Sequence, residues 1–177
     1  MRTLLTRRLP AMLVLTAFTA LAADVPRPLA NLTFQAPPAR GMKPVKLTDY
    51  RGKILVIALL STQCGACAQM AGLLNGIQRD YAAKGVQVVA AAVDPAAING
   101  IGQFIDRNRP RYPIGLLGED DTRKLADFSE SDRPFVPILM FVDKGGTVQQ
   151  QFFGNSPFMS DANKATRALL ENMISTQ

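Results

Sequence analysis

The sequence predicts an α/β fold: a central mixed β-sheet flanked by helices on both faces, with an N-terminal β extension. Three observations carry that expectation. Two apolar runs, residues 54–60 (ILVIALL) and 86–93 (VQVVAAAV), read as buried strands. The proline-free stretch between them shows helical spacing, which makes the trio a parallel β-α-β unit with a right-handed crossover. Residues 138–154 then read as a hairpin that adds antiparallel strands.

Taken in order, the chain opens with Arg2, Arg7 and Arg8, followed by an uncharged, mostly apolar run from Leu9 to Ala22 that ends in Ala20-Leu21-Ala22. That is the pattern of a cleavable export signal, with the cut expected after Ala22. The run falls short of the ~20 residues that a membrane-spanning helix needs. Residues 23–40 hold Pro26, Pro28, Pro37 and Pro38 and read as an extended lead-in, with a short strand at Leu32-Thr33-Phe34. The remaining residues, 41–177, read as one domain. Residues 43–53 alternate apolar and polar and then turn at Arg51-Gly52 before the first long strand.

The first long helix is expected over residues 64–84, with Cys67, Met70, Leu73, Leu74, Ile77 and Tyr81 on one side and Gly85 as its stop. Asp94-Pro95 ends the next strand. A second helix is expected over 98–108, before Pro110, then an extended segment near 111–117 and a short helix over 120–128 with acids in its first turn. Residues 138–143, a turn at 144–146 and residues 147–154 form the hairpin. Ser160 or Asp161 caps a last helix that runs to about Ile174.

Charge excludes little but redirects the reading. The chain has 20 basic and 14 acidic residues, a net +6. Three of the arginines lie in the export signal, leaving 17 against 14, or +3. The remaining cations are scattered apart from Arg107, Arg109 and Arg111, which read as a solvated helix end and not as a nucleic-acid site. The chain has no histidine, so the commonest general base and metal ligand are both absent.

Both cysteines fall in one motif, Cys64-Gly65-Ala66-Cys67. A structural zinc site wants four Cys or His ligands, and none remain after these two. A purely structural bridge would close a very small loop, worth about 2 kcal/mol in the chain-entropy model. A redox pair accounts for more. Cys64 sits where a buried strand hands over to a helix, and a helix N-terminus favours a thiolate over a thiol. Cys67 lies one turn inward, placed to attack a disulfide formed at Cys64. Gly65 and Ala66 keep the turn compact. Export would put the pair outside the reducing cytosol.

With these residues in view, the chain resembles the thioredoxin superfamily, in particular the exported TlpA/ResA-type proteins that grade into AhpC/TSA redoxins. The resemblance runs from about Leu29 to Ile174 and rests on residues 43–67, 85–94 and 136–148. It implies a thioredoxin-like fold and a cis-proline facing the cysteines, here Pro137 after Val136, with Pro134 a weaker competitor. Val136 would offer its backbone to an extended client strand, and Gln63, Gly65 and Ala66 would line the approach. It further implies protein disulfide or dithiol clients and a membrane-bound thiol electron donor. No cofactor beyond the Cys64–Cys67 disulfide is expected, no metal and no nucleic acid, and the protein is expected to be a monomer in the periplasm or secreted.

The chain departs from the resembled pattern at several positions. Gln63 replaces a common tryptophan and Ala66 a common proline. Ala58 and Met70 stand where relatives carry acids, so no proton acceptor for Cys67 is visible in the sequence. The expected activity is thiol–disulfide exchange, with reduction the preferred direction. A thiol peroxidase is the alternative: Ser61 fits its pattern, Ile57 stands where that pattern needs proline, and Arg133 is a candidate for the required arginine. A non-catalytic binding module and a copper carrier complete the set, the latter disfavoured by the missing histidine and the short cysteine spacing.

Overall fold

A computed structural model describes residues 25–38, 41–129, 131–132 and 135–176. The expected export signal, Arg133 and Pro134 lie outside the described residues.

Strands β1 (Arg27–Pro28), β2 (Thr33–Phe34) and β3 (Val45–Lys46) come first, then a 3-10 turn at Leu47–Tyr50 and the long strand β4 (Ile54–Leu60). Helix α1 (Gly65–Tyr81) runs into a 3-10 turn at Ala82–Lys84, and β5 (Val86–Ala92) follows. Then come α2 (Ala97–Asn108), β6 (Ile114–Leu116), α3 (Glu119–Ala126), β7 (Ile138–Val142), β8 (Thr147–Phe152), a 3-10 turn at Pro157–Asp161 and α4 (Ala162–Ser175).

Six strands form one mixed sheet in the order β1-β8-β7-β4-β5-β6. β4 is central, parallel to β5 and antiparallel to β7. Every residue of β4 is buried, as its unbroken apolar sequence requires. Alternate residues serve opposite faces. Ile54, Val56, Ala58 and Leu60 meet α1, α2 and α4 on one side. Leu55, Ile57 and Leu59 meet α3 and the N-terminal segment on the other. Helices thus cover both faces, but unequally, three against one.

The N-terminal segment is more than an extended lead-in. β1 pairs with β8 at one edge of the sheet, and the bridge Gln35↔Leu116 reaches β6 at the opposite edge. Between these points Phe34 is fully buried. A boundary at residue 40 would cut through the β2–β3 ladder, in which Phe34 faces Val45. The hairpin is also less regular than its sequence suggests. The register slips between Phe141 and Val142, where Gln150 and Val148 are the successive partners. Elsewhere only bounds differ: α1 ends at Tyr81 and a 3-10 turn continues to Lys84, the extended segment expected over 111–117 narrows to Ile114–Leu116, and the other elements shift by one or two residues at their ends.

Candidate redox site

β4 ends at Leu60, and the next residues turn out of the sheet into α1. Cys64 occupies the N-cap of that helix in extended backbone (φ −97°, ψ 119°), and its Sγ accepts the Cys67 N–H at 3.2 Å. A sulfur thus takes the place usually held by a capping oxygen, satisfying one of the orphan donors of the first turn. Cys64 is half-buried, whereas Cys67 is wholly enclosed against the core. Gln63, Gly65 and Ala66 are exposed around Cys64.

The two sulfurs face one another, and both cysteines are free thiols. Burial pushes the Cys67 thiol far above the ordinary thiol range. Its hydrogen bond to Cys64 and the charges of Cys64 and Asp94 push the same way, and the Ser61 N–H, 3.4 Å from Cys67 Sγ, opposes them. At neutral pH the inner sulfur therefore holds its proton. The outer one sits in the field of a helix N-terminus.

Val136-Pro137 lies just before the neighbouring strand, β7. The Val136–Pro137 bond is cis. Ile138 is opposite Leu59 in the β4–β7 ladder, so Pro137 and Val136 continue alongside the loop that carries Cys64. Pro137 is buried and Val136 half-buried. A glycine that sequence reading passed over shapes this corner. Gly154 donates its N–H to the Phe135 carbonyl at 2.7 Å, and a Cβ there would stand 2.6 Å from the Val136 oxygen. No single-sequence signal distinguishes Gly154 from an ordinary strand-end glycine. A second cis bond, Val25–Pro26, lies in the N-terminal segment.

Two openings flank the corner. A cleft of about 210 Å³ is lined by Gln63, Cys64, Gly65, Phe104 and Arg107. A larger cavity of about 740 Å³ lies beside Val136 and Asp94, walled by Ile98, Leu117, Phe128 and Ile138. Cys64 opens into the smaller one. Among the described residues the large hydrophobic side chains left exposed are Ile98 and Phe135, one in the wall of the larger cavity and the other next to Val136 in the chain. Arg107, Arg109 and Arg111 are exposed at the end of α2, and Arg107 also borders the Cys64 cleft.

A mixed sheet with a C-x-x-C at the start of its first long helix defines a thioredoxin-like redox fold. Residues 30–160 match the AhpC/TSA family, and the chain belongs to that family. Among curated proteins it is similar to the thiol-disulfide oxidoreductase ResA of Bacillus cereus, 23% identical over 112 residues, 63% of this chain and 61% of that protein. ResA of Geobacillus thermodenitrificans is 26% identical over 109 residues, 62% of this chain and 59% of that protein. The matches thus span about three fifths of the length of these relatives. Among solved structures, a candidate thiol:disulfide interchange protein DsbE of Chlorobium tepidum superposes with a TM-score of 0.68 at 23% identity, covering 84% of this chain and 99% of that one. That likeness establishes the thioredoxin-like fold.

Proposed function

We propose that this protein is an extracytoplasmic thiol–disulfide oxidoreductase that works through Cys64 and Cys67. The observation that carries the reading is the asymmetry of the pair: one sulfur half-exposed at a helix N-cap, the other enclosed one turn behind it. The Cys64 thiolate attacks a client disulfide and forms a mixed disulfide, and one client sulfur leaves as a thiolate. Cys67 then loses its proton and attacks Cys64, forming the Cys64–Cys67 bond and releasing the second client sulfur. The client gains two electrons and the protein loses two. A membrane-bound thiol donor restores the dithiol.

A client strand pairs with the backbone of Val136 while Gln63, Gly65 and Ala66 leave the approach to Cys64 open. Reduction is the favoured direction, as the resemblance to the exported TlpA/ResA-type branch implies. The export pattern at the N-terminus supports an extracytoplasmic site. No described helix is long and apolar enough to cross a membrane.

The test is insulin reduction by the mature chain with dithiothreitol. Activity is expected in the native protein and lost in Cys64→Ser, while Cys67→Ser accumulates mixed disulfides with clients. Resistance of Cys64 to alkylation in the folded, reduced protein sinks the mechanism. Oxidation by hydrogen peroxide much faster than by a disulfide makes the protein a peroxidase instead. A measured reduction potential decides direction, low for a reductant and high for an oxidant.

A further inference from the structure

Cys67 must give up a proton before it can attack, and it does so inside the core. The carboxylate whose charge reaches it is Asp94, two residues past the end of β5. Leu60 and Ala92 are the last register pair of β4 and β5, so Thr62 and Asp94 leave the sheet side by side. Asp94 Oδ1 accepts the Thr62 N–H at 2.7 Å, and its Oδ2 accepts the Thr62 hydroxyl at 2.9 Å. Thr62 is buried. Behind it stands Gly100 of α2, where a Cβ would fall 2.5 Å from Thr62 Oγ1, so the helix closes the clamp from the back. Ser61, next to Thr62, turns its N–H to Cys67 Sγ. Three elements therefore hold one short loop against the inner sulfur, and the carboxylate is the polar group that ties two of them.

We propose that Asp94 is a positioning residue for the second half of the exchange: it clamps the Ser61–Thr62 backbone against Cys67 and places a carboxylate charge close to the sulfur that resolves the mixed disulfide. The inference rests on the oxidoreductase reading above. In the dithiol both Cys64 and Asp94 hold the proton on Cys67. Once Cys64 is bound to a client sulfur its charge is gone, and Asp94 is the charge that remains. The other charged groups nearby are Arg107, across the cleft from Cys64, and Glu119, Arg123 and Asp132, around the cavity that Asp94 borders.

Stopped-flow reaction of the reduced protein with dithionitrobenzoate separates the steps. Cys64 attacks first and releases one coloured thiolate. Cys67 then displaces the second as the internal disulfide forms. Asp94→Asn can still accept the Thr62 N–H but carries no charge. Its second phase is expected to show a lower midpoint and to run about threefold faster at neutral pH, the gain in thiolate being partly offset by weaker nucleophilicity. Thr62→Val keeps the carboxylate, so its midpoint stays in place. Asp94→Ser, also neutral, repeats the measurement if the asparagine variant folds poorly. A midpoint that stays or rises in the neutral variants overturns the inference, as does a Thr62→Val midpoint that moves as far as theirs. Loss of the first phase in the native protein defeats the oxidoreductase reading instead, so the two failures are distinct.

Discussion

Cys67 is sealed and Cys64 is not, so a client can reach only one sulfur. The order of events follows from that difference in access and does not need to be set by sequence around the motif. Gly154 matters at the same scale, although it touches neither sulfur. Its missing side chain lets the loop after β8 lie against the Val136 carbonyl. Gly154→Ala must push one backbone off the other, an overpacking cost of about 1–3 kcal/mol. The expected result is a lower urea midpoint together with a rise in KM for a protein client, because the Val136 edge moves. A normal KM with only a stability loss would separate this corner from client binding.

The elements carry a different set of forces. α1 and α4 meet along a polar seam outside the core. Asp80 accepts from Arg79 Nε and from Arg167 Nη2, each at 2.7 Å, and Lys84 pairs with Glu171 at 2.8 Å. The ring of Tyr81 lies beneath both cations, 4.9 Å from Lys84 Nζ and 5.7 Å from the Arg167 guanidinium carbon. The Arg79 hydrogen bond, then that of Arg167, holds the Asp80 carboxyl at about 2. A carboxylate depressed on folding lends stability above its ordinary value of about 4 and loses it as pH falls toward 2. Thermal melts should therefore fall through that window, and Asp80→Asn should flatten the fall by lowering the melt at neutral pH by as much as the native protein loses in acid, a small amount because the pair is solvent-exposed. An unchanged acid slope in the variant would remove Asp80 from the account.

This seam also shows what a single sequence can and cannot display. The helical period of α1 announces its buried side through Cys67, Met70, Leu74, Ile77 and Tyr81, because burial imposes a repeat. The Arg167 partner of Asp80 and the Thr62 partner of Asp94 lie 87 and 32 residues away in the chain, and no local pattern marks them. For the same reason the Asp94–Thr62 contact could not be found by looking near position 64. Asp94 follows the adjacent strand, β5, and only the β4–β5 register brings it there.

At the scale of the molecule, the sheet is held at both edges by one N-terminal segment. Arg27 is its anchor: Nη2 donates to the Leu125 carbonyl at 2.9 Å and to Gln151 Oε1 at 2.6 Å, joining α3 to β8. Arg27→Ala should cost about 1–3 kcal/mol in urea unfolding, because it leaves those acceptors half-buried. The thiol chemistry, on the far side of the sheet from this anchor, should keep its rate in the surviving folded fraction. The long strands and helices of this architecture were legible because each is a long, uniform signal. β1 was not, because two residues, one of them proline, carry no periodicity, and their pairing with Thr147 and Val148 is visible only when the chain is folded.

That pairing sets an order on biosynthesis. Arg27 and Pro28 are fastened by Val148 and Thr147, which are made much later, so this edge of the sheet has no way to close until β8 is out. Under the export proposed above, a polypeptide must stay threadable until it has crossed, and this topology delays locking until β8 follows.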